Sequence, residues 1–297
     1  MKRLPFKKID AFAGGRSSGN PAAVIRLSCA ESLPPEDMQR IGRELAGCVS
    51  EVVFMYPDEG VLTLRYFSAE REVAFCGHGT VAAMYDLIKN DPVMKLDPVI
   101  RIRAGGGELL VKNEIPETDA VFISSPLPVP GPEPPSRDAI AAALRMAPPD
   151  IDAQRRIAVV TAGLAALMVP IRSVDAVLSI HPDQSFLREF CLSHGIEIVV
   201  VFAEDPEREE IGVRSRVFAP VFGYLEDPAT GSGNAALGYY LLEDGAWDGS
   251  ALVIGQGRSR EHPAIVRLAA DLSTHQRTVF FGGGAVVRFE GEYILSE

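Results

Sequence analysis

Two stretches of this chain, residues 79–85 (Gly-Thr-Val-Ala-Ala-Met-Tyr) and 233–242 (Gly-Asn-Ala-Ala-Leu-Gly-Tyr-Tyr-Leu-Leu), follow glycine-rich turns and contain no charged side chain. Each reads as a helix. A helix lying on a surface keeps a polar face, so a helix that is apolar all round must be enclosed by other elements. Short β-branched runs are available to enclose them, at 51–56, 61–67, 99–103, 108–111, 121–124, 196–202, 213–218, 265–269, 278–281 and 285–289. The fold class expected is therefore α+β: a strongly curved, barrel-like β-sheet wrapped around a central buried helix, occurring twice.

The local context of the two helices is also duplicated. Leu64-Arg65-Tyr66-Phe67-Ser68 reads as a strand and is followed by Cys76-Gly77-His78-Gly79-Thr80 and the first uncharged run. Ser215-Arg216-Val217-Phe218-Ala219 precedes Thr230-Gly231-Ser232-Gly233-Asn234 and the second, with three extra residues between strand and turn. Self-similarity of this kind marks a repeated structural unit. Between the copies, six of the ten residues 126–135 are proline, a stiff extended stretch. The expected organisation is two pseudo-duplicated domains, residues 1–125 and 136–297, joined by a linker at 126–135. Strands in 278–297 are candidates to return to the first domain. Conventional helices are predicted at 35–47 (Met38, Ile41 and Leu45 on one face), at 136–146 after the cap Ser136, and at 183–193 (Phe186, Leu187 and Phe190).

Composition limits the partners. Twenty-nine Lys and Arg against 40 Asp and Glu give a formal charge of −11. With no dense basic patch, such a surface argues against nucleic acid and anionic membrane as partners. The N-terminus lacks the apolar segment of a signal peptide, and the apolar run at 158–171 is too short to span a bilayer. Cysteines at 29, 48, 76 and 191 form no CxxC or metal-ligand spacing and are too sparse for a disulfide scaffold. A reduced, cytoplasmic chain is expected.

The chemistry concentrates at the two glycine turns. Free backbone N–H groups at a helix N-terminus bind carboxylate or phosphate without a charged side chain. Glycines also simply permit tight turns, but a matched pair favours a pair of anion-binding ends. Neither turn is a Walker A or GxGxxG sequence, which removes support for nucleotide binding. A cysteine at a helix start, as Cys76 is, is expected to have a lowered pKa, and His78 beside it is a proton carrier. A cofactor-free racemase needs two bases, and the second turn offers only Thr230 and Ser232, which are not basic enough. Cys76 by itself reads as a small buried residue. Glu51 opens an apolar strand, where burial raises a carboxyl pKa toward neutrality. Asp227 lies three residues before the second turn, either reaching that helix end or forming an Asx-Pro turn.

Taken in order, these segments resemble the phenazine-biosynthesis PhzF-like isomerase family of the diaminopimelate epimerase-like fold. The resemblance rests on Ile9-Asp10-Ala11-Phe12, Gly19-Asn20-Pro21-Ala22-Ala23-Val24, Ser50-Glu51-Val52-Val53-Phe54 and Arg65-Tyr66-Phe67-Ser68. It continues through Glu72-Val73-Ala74-Phe75-Cys76-Gly77-His78-Gly79-Thr80, Thr161-Ala162-Gly163-Leu164, Glu226-Asp227-Pro228-Ala229-Thr230-Gly231-Ser232-Gly233 and Gln256-Gly257. It implies a general acid/base at Glu51, an orienting or relaying group at His78, and a third catalytic position at Asp227. Asn20, Cys76, Gly77, Gly79, Thr230, Gly231, Ser232 and Gly233 are the substrate-binding positions. It further implies a small carboxylate substrate in an interdomain cleft, no metal or organic cofactor, and a homodimer. The chain departs from the family at Ala69-Glu70, at Gly233-Asn234 and in the longer loop 13–18, which bears on the substrate more than on the fold. The expected function is a cofactor-independent isomerase working by general acid/base proton transfer. The alternatives are an amino-acid racemase or epimerase and a non-catalytic small-molecule binding protein of the same fold.

Overall fold

The computed structural model describes residues 1–14, 16–17, 19–105, 107–273 and 276–296. Gly15 and Ser18 of the long loop before Gly19 lie outside the described residues. The elements run β1 (Lys2–Ala11), β2 (Asn20–Arg26), α1 (Pro35–Glu44), β3 (Glu51–Asp58), β4 (Val61–Ser68), β5 (Glu72–Val73), α2 (Gly77–Asn90), β6 (Val99–Ala104), β7 (Gly107–Glu114), α3 (Ile115–Thr118) and β8 (Ala120–Ser124). They continue with β9 (Val129–Pro130), α4 (Arg137–Leu144), β10 (Ala158–Thr161), β11 (Ala165–Pro170), α5 (Val174–Ser179), α6 (Gln184–Ser193), β12 (Ile198–Glu204), β13 (Val213–Phe218), β14 (Glu226–Asp227), α7 (Gly231–Glu243), β15 (Leu252–Gln256), β16 (Ala264–Asp271), β17 (Thr278–Gly283) and β18 (Ala285–Leu295).

The chain forms two compact units, one of Met1–Ser124 with Gly282–Glu297 and one of Ser125–Phe281. The proline-rich stretch belongs to the second unit, where Val129 and Pro130 pair with Thr161 and Val160. β18 belongs to the first, antiparallel to β1 along its length. In the first unit α2 packs against β1, β2, β3, β8 and β18; in the second α7 packs against β10, β11, β12 and β16. Every residue of α2 from Gly79 to Ile88 is buried, as is every residue of α7 from Gly233 to Leu242. α2 extends past the uncharged run to Asp86 and Lys89, and Asp86 is neutralised by Lys7 of β1 at 2.8 Å.

Each sheet is covered on its other face too. In the first unit Met38 and Ile41 of α1 pack on Val52, Phe54, Tyr56, Ala23 and Ile25. In the second, α4, α5 and α6 cover Val199, Val201 and Phe218. The predicted α6 face shifts as a result: Leu187 and Cys191 point inward, while Phe186 is 52% exposed. Asp183 caps that helix by accepting from the Phe186 amide, which orients its first turn toward solvent.

The duplication holds at the level of strand register. β3 pairs antiparallel with β4 and parallel with β2, and β12 pairs antiparallel with β13 and parallel with β11. β4 runs parallel to β6, and β13 parallel to β15. Phe67 faces Glu72 as Phe218 faces Glu226, so the three extra residues fall within the β13–β14 turn, where Pro220–Phe222 form one 3-10 turn. Counting outward from those phenylalanines, Glu51 corresponds to Ile198, Val73 to Asp227, Cys76 to Thr230, His78 to Ser232 and Ala104 to Gln256. Gly105 and Gly257 also correspond, and both adopt positive φ (57° and 108°). A Cβ on Gly105 would lie 2.1 Å from the Ala74 oxygen.

The arginines of the two Arg-x-Phe strands form an internal comparison. Arg65 makes a two-pronged pair with Glu72 at 2.7 Å, with the side chains 25% and 45% exposed. Arg216 pairs with Glu226 at 2.9 and 3.0 Å, its own side chain fully buried, and also donates to the carbonyls of Val177 and Ile180. Removing Arg216 leaves the Val177 and Ile180 carbonyls and one Glu226 oxygen without their donor, although Arg258 still reaches Glu226 Oε2 at 2.6 Å, whereas an exposed pair is screened by solvent. Arg216→Met is therefore expected to cost roughly 3–5 kcal/mol, and Arg65→Met at most about 1 kcal/mol. Urea unfolding midpoints of the two variants test this, and equal losses would contradict it.

Candidate active site

Alternation along β3 places the first acid. Val52, Phe54 and Tyr56 enter the outer core, so Glu51 and Val53 face α2 on the other side. The helix comes close because residue 79 is glycine: a Cβ there would sit 2.8 Å from Val53 Cγ2 and 2.9 Å from Cys76 Sγ. Cys76 is the N-cap, its sulfur accepting from the Gly79 amide at 3.3 Å. Thr80 fixes the first turn by donating to the Cys76 carbonyl at 2.7 Å, and its hydroxyl meets Tyr66 Oη at 2.6 Å.

Strand end and helix start together form a three-residue cluster. His78 Nε2 lies 3.2 Å from Glu51 Oε2, with the side chains only 11% and 19% exposed. Cys76 Sγ lies 3.5 Å from His78 Nδ1 and 3.8 Å from both His78 Nε2 and Glu51 Oε2. Burial pushes the Glu51 carboxyl up, but its hydrogen bond to His78 and the imidazolium charge outweigh this and hold it below the usual range. Burial pulls His78 down, while the Cys76 sulfur when ionised and the hydrogen-bonded Glu51 carboxylate push it above an ordinary histidine. Burial pushes the Cys76 thiol up, and neither His78 nor the Gly79 amide reverses that.

Two sequence expectations are thereby corrected. Glu51 is not raised toward neutrality, because the apolar walls are offset by an imidazolium against its oxygen. Cys76 is not acidified by its place at a helix start, because desolvation of the thiolate costs more than the helix end returns. Burial and the neighbouring charges thus favour the ionised forms of Glu51 and His78 and the neutral form of Cys76. A carboxylate in this state can accept a proton, and the cation beside it can stabilise charge that develops on a substrate. The same three side chains are also potential metal ligands, with donor atoms all within 4.8 Å of one another. Cysteine spacing could not reveal this set, because Glu51 arrives from a separate strand.

The second unit builds a different polar end at the corresponding place. Asp227, buried, accepts from Thr230 Oγ1 at 2.5 Å, so its carboxylate reaches the N-cap of α7. Gln256 Oε1 accepts from the Thr230 amide at 2.9 Å and from Asn234 Nδ2 at 2.6 Å, while its Nε2 donates to the Asp227 carbonyl at 2.8 Å. Gln256 holds this end together, and its sequence signal was a lone amide closing an apolar strand before Gly257. Gly231 has no room for a side chain, since a Cβ would lie 2.3 Å from the Phe281 ring. Ser232 is half-buried in the first turn and Gly233 buried behind it. Asn20 is buried at the start of β2, two residues before Ala22, the strand partner of Glu51. The structure thus groups Glu51, Cys76, Gly77, His78 and Gly79 in the first unit, and Asp227, Thr230, Gly231, Ser232 and Gly233 in the second.

The fold is an α+β framework shared with an epimerase of known structure, and relatives of the chain are isomerases. The chain belongs to the phenazine biosynthesis-like (PhzC-PhzF) family, whose model matches residues 9–291. It is 30% identical over 297 residues to the uncharacterized isomerase YddE of Escherichia coli O157:H7, covering 97% of each chain. It is also 30% identical to trans-2,3-dihydro-3-hydroxyanthranilate isomerase of Pseudomonas fluorescens, over 94% of this chain and 98% of that one. Among solved structures, a PhzF-family protein of Bacillus anthracis has a TM-score of 0.85 at 22% identity, covering 99% of this chain and all of that one. A hydroxyproline epimerase of Agrobacterium vitis shares the fold at a TM-score of 0.61 and 12% identity, over 98% of this chain and 92% of that one.

The charge state of the cluster has a definite pH signature. His78 has a higher pKa folded than unfolded, so its stabilising contribution is complete below about pH 6.5 and is lost as pH rises through the folded value. Glu51 is depressed, so its share is present above the ordinary carboxyl range and is lost in acid. Histidine-ring NMR titration should show an elevated midpoint for His78 that falls in Glu51→Gln. A midpoint that does not move would refute the coupling.

Proposed function

We propose that the chain is a cofactor-independent isomerase that moves a proton between two positions of a small carboxylate-bearing substrate. Glu51 takes the proton from carbon and returns it elsewhere, alternating as base and acid. His78 stabilises the negative charge that accumulates between the two steps, and the backbone amides starting α2 bind the carboxylate. The observation that carries this reading is the sheltered Glu51 carboxyl 3.2 Å from the His78 ring. A two-thiol racemase finds less support, because the position corresponding to Cys76 is Thr230.

The Pseudomonas relative makes trans-2,3-dihydro-3-hydroxyanthranilate a first compound to test, within a panel of small unsaturated and amino carboxylates. In deuterated water, the parent should incorporate solvent deuterium into one of these and produce an isomer. Glu51→Gln should lose about 10²- to 10⁴-fold in rate, the usual share of a general base. Deuterium incorporation at the parental rate in Glu51→Gln would remove Glu51 from the mechanism. Tight binding of a compound with neither exchange nor product would favour the non-catalytic reading.

We also propose a homodimer and a cytoplasmic setting. On β18, Val286 and Phe289 are 40% and 62% exposed on the face that also carries their strand partners Asp10 and Lys8, and a second copy would cover them. All four cysteines are free, as a reducing compartment keeps them. Among the described residues no helix is long and apolar enough to cross a membrane. Light scattering should give twice the chain mass at micromolar concentration, and Phe289→Glu should shift it toward the monomer. A parent that is monomeric throughout would overturn the dimer.

A further inference from the structure

We propose that Tyr66, acting through Thr80, is a positioning residue: a buried relay of two hydroxyls fixes the start of α2 against the strands and so sets the contact between His78 and Glu51. The hydrogen-bond pattern gives the relay its direction. The Cys76 carbonyl accepts from the Thr80 amide at 2.9 Å, the ordinary helical bond, and from Thr80 Oγ1 at 2.7 Å. A hydroxyl carries one proton, so Tyr66 Oη donates in its 2.6 Å contact with Thr80 Oγ1. Both residues are 0% exposed, and a polar group left unpaired there is costly. Two enclosed hydroxyls are thus directed at a carbonyl that the helix already satisfies, and that carbonyl stands two residues before His78.

Tyr66 is placed to tie strand to turn. It sits on β4 opposite Val53, whose Cγ2 would lie 2.8 Å from a Cβ on Gly79, and Glu51 is two residues along the same face of β3. Its ring also meets Phe75, the residue before Cys76, edge to face with centroids 6.4 Å apart. The second unit gives an internal comparison, in which Thr80 corresponds to Asn234 and Tyr66 to Val217. Asn234 Nδ2 donates to the Thr230 carbonyl at 2.8 Å, so both helices are pinned by the fourth residue after the cap. Behind Asn234 stand Ser215 and Gln256; behind Thr80 stands Tyr66. The tyrosine thus marks the helix start whose histidine lies 3.2 Å from an acid on a separate strand. Without the relay the helical bond from the Thr80 amide keeps α2 intact, while the turn at 76–78 is free to shift against Glu51. The effect on turnover rests on the reaction proposed above; the effect on the contact itself does not.

The test reads the contact by NMR in the full chain labelled with ¹⁵N-histidine. The His78 ring proton held by Glu51 should give a far-downfield resonance that Glu51→Gln abolishes. In Tyr66→Phe it should move upfield and exchange with water about tenfold faster, the change that loss of one hydrogen bond brings. Thr80→Val should do the same, and Thr80→Ser, which keeps a hydroxyl, should restore the parental signal. Tyr85→Phe removes a hydroxyl farther along the same helix and should leave the resonance unchanged. With trans-2,3-dihydro-3-hydroxyanthranilate as the first substrate tried, Tyr66→Phe should lower kcat about tenfold and leave KM alone. A parent without the resonance, a resonance unchanged in Tyr66→Phe, or one disturbed equally by Tyr85→Phe overturns the relay. The Thr80→Val and Thr80→Ser pair decides the matter should Tyr66→Phe fail to fold. A disturbed resonance with unaltered turnover leaves the relay standing and removes the Glu51–His78 contact from the proposed reaction.

Discussion

A helix enclosed on every side can offer the outside only its ends. α2 and α7 are buried on every side from Gly79 to Ile88 and from Gly233 to Leu242, so what they present at their starts is the first turn with its backbone amides. Glycine at those turns lets each helix press against the strand beside it, and whatever side chain the strand carries there is forced into the helix end. In the first unit that side chain is Glu51. The placement of the acid, the cap sulfur and the imidazole follows from this one close approach, and so does the charge pattern that makes the cluster chemically distinctive.

The register between the two halves shows how one scaffold came to hold two unlike ends. Where the first has Glu51, the second has Ile198; where the first has Ala104, the second has Gln256. The polar load moved from one strand to another while the backbone pattern, down to the positive-φ glycines, stayed in place. The first end keeps ionisable groups in contact with one another. The second is a hydrogen-bonded frame of Asp227, Thr230, Asn234 and Gln256, suited to holding rather than exchanging protons.

Much of this was legible in the residues. The uncharged runs foretold the buried helices, and the length difference between the repeats foretold an insertion that the structure locates in the β13–β14 turn. The resemblance to known isomerases picked out Glu51 and His78, which the fold then brought within hydrogen-bonding distance. β1 escaped notice because Lys2, Arg3, Lys7, Lys8 and Pro5 do not read as a strand between two others. Its charges are tolerated because Glu292, Asp86 and Asp10, from near and far in the chain, meet three of them. The ionisation of Glu51 was misjudged for a related reason: a sequence shows the apolar neighbours that raise a carboxyl pKa but not the cation that folding delivers to it.

The return of β18 to β1 also orders the events of synthesis. β1 leaves the ribosome long before its partner β18, so the first unit cannot complete its sheet until β18 has emerged. The second unit is continuous in sequence and has all its strands available earlier. Nascent chains commonly fold their N-terminal part first; this connectivity works against that order. Until β18 arrives, the apolar face of β1 and the side of α2 it covers remain open, which makes the waiting first unit the part of the nascent protein most dependent on protection from aggregation.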